Sequence, residues 1–302
     1  MPWPVVPSAR AREGRESTMP ARRSGSVVIM PTEPSSAVRR LSATLLATLV
    51  AIACIGISRS QTNGVERDDT RDAAGEFHFA RMIYQDRAGY GGGFYRRGSG
   101  RGWWQQDAPA ADIHFTQALR RLTRIDAGEY VAVDLRDGRL FEYPWLYATQ
   151  AGFWDLSDPE IAMLREYLLR GGFFVTDDFW EDAEWEVFRE AMGRLFPEYP
   201  IVELTGGNAE VLHVLYDIEG LTQIPGLRHL RNFDPRIGKI IGLPDPHWRG
   251  IYDSKGRLLV AANFNQDVGD AWEHADWPQY PEPMTTLAYR FGINHIIYSM
   301  TH

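Results

Sequence analysis

From Glu76 onward, short apolar runs alternate with longer segments of helical period, and this alternation limits the fold more than any other feature of the chain. "FHFARMIY" (77–84), "EYVAVDL" (129–135), "PWLYATQ" (144–150) and "FFVTD" (173–177) read as strands. "ADIHFTQALRRLTRI" (111–125), "DPEIAMLREYLLRGG" (158–172) and "EDAEWEVFREAMGRLF" (181–196) read as helices. Ile113, Leu119 and Leu122 recur at helical spacing. Ser157, followed three residues later by Glu160, has the spacing of a capping box, and a Gly pair stops the same helix. Strands joined by helices of this length pair in parallel, and the helices must cover both faces of the sheet. The second half is less regular. "RGIYDSKGRLLVAANF" (249–264) reads as a β-hairpin with Gly256 in its turn. "MTTLAYRFGINHIIYSMTH" closes the chain as a helix, with Leu287, Phe291, Ile297 and Met300 available for one face. There is no internal repeat.

The segment before this domain has another character. "LSATLLATLVAIACIGIS" (41–58) carries no charge and follows Arg39 and Arg40. A basic flank, an apolar core and small residues fit a secretory signal. The run of 18 residues also reaches the lower limit for a membrane span. The expectation is a signal peptide or membrane anchor over 1–60, with 1–29 a mis-assigned start if Met30 begins the chain. A polar linker over 61–75 and a single α/β domain over 76–302 follow. The protein is then exported, periplasmic or extracellular, or anchored by 41–58, and meets a membrane through this segment alone. The formal net charge of −8 hides a balance of +5 in the first 60 residues (eight Arg, three Glu), which leaves −13 beyond them. A domain this acidic is a poor non-specific partner for nucleic acid. The single cysteine, Cys54, lies inside the apolar run, where "AIAC" is a weak lipobox. Cleavage after it removes every disulfide and any cysteine nucleophile. No serine sits in a G-x-S-x-G elbow.

"GGFFVTDDFWED" (171–182) places Asp177 and Asp178 at the carboxyl end of a core strand, where open parallel sheets bind ligands. Paired acids there bind a divalent cation, or one of them works as acid or base. The other reading is structural: Asp178 stands three residues before Glu181, the spacing of a helix cap. "GDAWEHADWPQYP" (269–281) sets Asp270, Trp272, Glu273 and His274 in one loop. Acids beside indoles suit a sugar-binding surface, or the indoles are local core. Trp272 and Trp277 need apolar cover, so this loop should fold back over the strand end and bring Asp177 opposite Asp270 or Glu273. The loop at 89–107, with Arg96, Arg97 and Arg101, either rims the same cleft against an anion or is a solvated loop. It has no nucleotide-binding spacing. His247, His274 and His302 are scattered without H-x-x-x-H spacing, so no metal ligand and no cofactor is assigned.

"LLRGGFFVTDDFW", "GDAWEHADWPQYP", the terminal "GINHIIYSMTH", "WWQQDAPAADIHF", "PWLYATQAGFWDLSD" and "VLHVLYDI…QIP" occur in an order that resembles the domain of unknown function 4159 family, over residues 77–302. The resemblance implies a three-layer α/β sandwich, glutamine amidotransferase-like or flavodoxin-like, with a mostly parallel central sheet. It implies no established activity. Amidotransferases place a cysteine on the turn after a core strand, and this chain has Asp177 and Asp178 there. The resemblance also keeps His213 and Tyr216 as candidates, although a lone His in an apolar run is as readily a core residue. The candidate catalytic residues are therefore Asp177, Glu273 and His213, and the candidate ligand-binding residues Asp178, Trp180, Tyr216, Asp270 and Trp272. The expected function is a non-catalytic binding or assembly module of the cell envelope. Its ligand is carbohydrate or envelope material held at the strand ends, and envelope proteins are its partners. The alternative is a carboxylate-based hydrolase or carbohydrate-active enzyme using Asp177 with the 270–273 loop.

Overall fold

A computed structural model describes residues 75–88, 102–204, 209–219 and 222–302, all within one compact unit. The signal or anchor, nearly all of the linker, and Arg96, Arg97 and Arg101 lie outside the described residues. Among the described residues no helix is long and apolar enough to cross a membrane.

The expected strands are β1 (Ala80–Ile83), β3 (Val131–Asp134), β4 (Trp145–Thr149) and β6 (Phe173–Phe179). The expected helices are α1 (Ala110–Leu122), α2 (Asp158–Leu169) and α3 (Glu181–Leu195). The later half adds β7 (Ile201–Glu203), β10 (His247–Tyr252), β11 (Leu258–Phe264), α4 (Val268–Glu273) and α5 (Glu282–Thr301). Seven strands form one sheet in the order β3-β1-β4-β6-β11-β10-β7. β3, β1, β4, β6 and β11 pair in parallel, and β10 runs antiparallel to both its neighbours. β10 and β11 are the expected hairpin, with Gly256 at φ 85° in the turn, a conformation that costs glycine little. Two short ribbons, β2 (Gln85–Asp86) with β5 (Trp154–Asp155) and β8 (Phe233–Asp234) with β9 (Lys239–Ile240), lie outside the main sheet.

The central strands β4, β6 and β11 are buried along their whole length, which is why they read as continuous apolar runs. Alternate residues feed two cores. Trp145, Tyr147 and Phe173 pack with Phe115 of α1, Trp272 of α4 and Phe291 of α5. Leu146, Ala148 and Phe174 pack with Leu164 of α2 and Phe188 of α3. Helices therefore cover both faces. The chain leaves β1 outward to β3 and returns to β4 on the other side of β1. The loops after β1 and β4 thus diverge, and the crevice between them is where open α/β sheets take ligands.

Candidate functional site

Four loops, each following one of the parallel strands β1, β4, β6 and β11, meet at the carboxyl edge of the sheet. They line a cavity of about 530 Å³ with Trp103, Gln106, Gln150, Asp178, Asp267, Asp270, Glu273 and His274, and the segment at Leu227 and Arg228 closes one side.

Beneath the first loop lies Arg81 of β1, whose Nε donates to both carboxylate oxygens of Asp112 at 3.1 and 2.9 Å. Both residues are buried. The same guanidinium donates to the carbonyls of Trp104 (3.2 Å) and Gln106 (3.0 Å), which fixes the loop ending at Asp107.

Adjacent carboxylates of β6 take different roles. Asp177 points into the α1/α4/α5 core. It accepts from Tyr147 Oη and from the backbone N–H groups of Val268 and Gly269, each at 2.7 Å. Those N–H groups open α4 and have no partner inside the helix, so Asp177 pins that helix to the sheet. Burial outweighs the hydrogen bonds and raises its pKa to about 6. Gly269 is required at this contact, because a Cβ there would lie 2.5 Å from Asp107 Oδ2 and 2.7 Å from Tyr147 Oη.

Asp178 faces the cavity. Its backbone has φ 51°, in the left-handed region, which breaks strand alternation and turns the side chain away from the face its position would give it. Its carboxylate accepts from Gln150 Nε2, from Trp180 Nε1 at 2.6 Å and from Arg228 Nη2 at 3.2 Å. Burial raises its pKa to about 8. It is not a helix cap: α3 begins at Glu181 with Trp180 at the N-cap, and the N–H of Trp180 donates to Glu184 at 2.6 Å.

The expected folding back of the 269–281 loop occurs, with a different pairing. Trp272 is buried against Phe115, with ring centroids 4.5 Å apart, so it is core and not a ligand platform. Trp277 is 40% exposed and does not share that cover. Asp270 and Glu273 line the same cavity as Asp178, and Asp177 does not line it. Asp270 accepts from the Leu227 N–H at 2.6 Å and lies 3.5 Å from His274 Nε2. Burial works against its charge, but hydrogen bonds from His274, Asp267 and Leu227 prevail and hold it below the usual carboxylate range. Burial raises Glu273. Trp180 is buried at the flank of the cavity, against His229 and under Arg228, and acts on the site through Asp178.

His213 and Tyr216 are not part of this site. His213 is bonded to Asp217 at the end of a short 3-10 turn. The backbone N–H of Tyr216 donates to Asn294 of α5, and its ring packs on the core. Neither lines the cavity.

Sequence reasoning passed over Asp107, Asp267, Gln150, Gln106 and Arg228. Asp107, Asp178 and Asp267 are buried, and each brings a carboxylate oxygen within 4.8 Å of the other two. Burial drives Asp107 and Asp267 well above the usual carboxylate pKa, and the neighbouring acids add to it. Asp267 also caps α4, accepting from the Asp270 N–H at 2.7 Å. Asp270, Glu273 and His274 form a second group of the same tightness nearer the rim. No local motif joins Asp107, Asp178 and Asp267, since Asp178 stands at the end of β6 and the other two in separate loops. The available signal was position: each stands at or beyond the carboxyl end of a strand.

Residues 78–300 match the family model described as "Domain of unknown function (DUF4159)". The chain belongs to that family. The DUF4159 region spans the whole sheet and every residue of the cavity, from β1 through α5. No curated protein matches the chain.

Proposed function

We propose that this DUF4159 domain is a binding module that takes a small polyhydroxylated ligand, of carbohydrate or cell-envelope type, in the cavity at the strand ends. The observation that carries the reading is the lining. Carboxylates of Asp178, Asp267, Asp270 and Glu273 stand with the amides of Gln106 and Gln150 around one cavity, with Trp103 at its wall. Carboxylates and amides accept from and donate to hydroxyl groups, and an indole face suits the apolar side of a sugar ring. Asp178 is clamped by Gln150, Trp180 and Arg228, which favours recognition over attack on a substrate. We also propose that the fold is glutamine amidotransferase-like, supported by the left-handed Asp178 at the end of central β6, where those enzymes hold their nucleophile. Export, or anchoring by 41–58, completes the reading.

The test is binding of neutral and acidic cell-wall oligosaccharides, followed by calorimetry and tryptophan fluorescence. Binding that Glu273→Gln and Gln106→Ala each weaken at least tenfold supports the reading. No binding across the set, or binding indifferent to both changes, overturns it. The hydrolase alternative keeps one observation in its favour: backbone strain gathers at functional sites, and Asp178 carries it. Release of reducing sugar during the same experiment would decide for it, with Asp178 in the role first given to Asp177.

A further inference from the structure

The base of the cavity makes a demand that the cations among the described residues do not meet. Asp107, Asp178 and Asp267 are each at least nine-tenths buried, and their oxygens lie within 4.8 Å of one another. Like charges this close, out of water, repel strongly. Arg81 is committed to Asp112. Of the three acids Arg228 reaches Asp178 alone within hydrogen-bond distance, its Nε donates to His229, and its side chain is 54% exposed.

A second, independent observation points to a missing partner. Asp107 Oδ2 and Gln150 Oε1 are buried oxygens with no hydrogen-bond donor among the described residues. Asp107 and Gln150 are 5% and 2% exposed. The other carboxylate oxygen of Asp107 is taken by Gln106 Nε2 at 2.9 Å, and the Gln150 amide donates to Asp178, so both side chains are held at the cluster with one acceptor left over. Buried acceptors are rarely left unmet, because each has given up water without a replacement donor. Asp107, Gln150 and Asp178 also have φ between 51° and 63°. Such backbones persist where the surroundings hold a particular side-chain direction.

We infer that Asp107, Asp178 and Asp267 bind a divalent cation at the base of the cavity, with Gln150 Oε1 as a neutral oxygen ligand. The donors are all oxygens, which selects a hard cation over zinc. Oxygens on opposite sides of a calcium ion are about 4.6–5.2 Å apart and those around magnesium about 4.2 Å at most, from the usual metal–oxygen lengths. A spread within 4.8 Å therefore suits calcium as it stands, and magnesium after slight contraction. The cavity provides access and room for water to complete the shell. This site does not depend on the sugar-binding reading, and in that reading the cation would present a positive face to ligand hydroxyls.

The experiment uses the full chain, stripped with EDTA and titrated with calcium, magnesium and manganese alone. Calorimetry should show one site, with calcium dissociating in the range of about 10⁻⁵–10⁻³ M. A cation excess of about fifty times the dissociation constant should raise the melting temperature by about 5 °C. Asp107→Asn and Asp267→Asn should each weaken binding at least tenfold, and without cation each should melt no lower than the parent, since a repelling charge is gone. Glu186→Gln, on the exposed face of α3, should bind as the parent does. Two results overturn the inference: no heat and no melting shift with any of the three cations, or full retention of both in Asp107→Asn and Asp267→Asn. If an aspartate variant fails to fold, as judged by circular dichroism, Gln150→Leu replaces it under the same criteria.

Discussion

The two faces of the sheet follow different rules. Against α2 and α3 the core is built from Phe174, Leu164, Phe188, Met192 and their apolar neighbours. Against α1, α4 and α5 a core richer in aromatic rings surrounds Trp145 and Trp272, and it takes in Arg81, Asp112, Asp177, Asn294 and His295, all buried. A buried polar group destabilises unless it is bonded, so polarity gathered mainly on one face needs a cause. The helices supply it. α1 follows Asp107 and α4 follows Asp267, so this face must deliver side chains to the cavity, whereas α2 and α3 have only the sheet to cover.

The largest test of that contrast removes one aromatic from each core. Phe188→Ala and Trp272→Ala should each cost about 3–5 kcal/mol, measured by urea denaturation, because both leave a cavity in packed surroundings. They should differ in the site. Trp272 seats α4, whose first turn is capped by Asp267, so its loss should also weaken calcium binding several-fold under conditions where the variant is folded. Equal weakening by Phe188→Ala would erase the distinction between the faces.

A smaller effect separates the neighbouring acids. Asp177→Ala strands two N–H groups and the Tyr147 hydroxyl in the core, and should cost about 3 kcal/mol, taking the lower end of roughly 1–3 per unmet group. Asp178→Asn keeps an acceptor for Trp180 Nε1 and removes an acid whose ionised form the crowded site disfavours. Without cation it should change stability by no more than about 1 kcal/mol, in the favourable direction. A loss in Asp178→Asn as large as in Asp177→Ala would mean that both acids are structural.

The same pair marks how far the sequence could be read. Period and capping identified the sheet and its helices: in α2 the Glu160 carboxylate accepts from the Ser157 N–H at 2.8 Å, as the spacing requires. Those signals are local, and so are the interactions behind them. The site depends on where separate loops meet. Strand alternation sends Asp177 and Asp178 to opposite faces, but the positive φ of Asp178 turns it instead to the sheet's edge, and no propensity announces that turn. Capping spacing offered Asp178 to α3 as one of two readings, whereas the fold gives its carboxylate to nearby Trp180 and to Gln150 and Arg228 from distant parts of the chain. Trp272 resembled a sugar platform because its neighbours are acids. On a helix, however, those acids and the indole point to different sides, so Asp270 and Glu273 reach the cavity while Trp272 enters the core.

The smallest test concerns His295, the polar residue on the crowded face with the least support. Neither ring nitrogen has a hydrogen-bond partner among the described residues, and the ring lies between Phe173 and Phe291, 5.4 and 3.9 Å away between centroids. Burial lowers its pKa to about 3. The unfolded chain protonates this ring near pH 6.5, so between about pH 6.5 and 3 the unfolded state holds the extra proton. Stability is unaffected above that window and falls as pH drops into it, by about 2 kcal/mol at pH 5. His295→Leu keeps a similar volume and makes this position resemble the opposite core. It should raise stability by about 1 kcal/mol at pH 8, where two unmet nitrogens disappear, and by about 3 kcal/mol at pH 5. Urea midpoints of both proteins at the two pH values, read as a difference, cancel the contribution of the acidic cluster common to both. If the gap between them does not widen on acidification, His295 finds a proton acceptor in the folded state, and this core is less dry than its packing indicates.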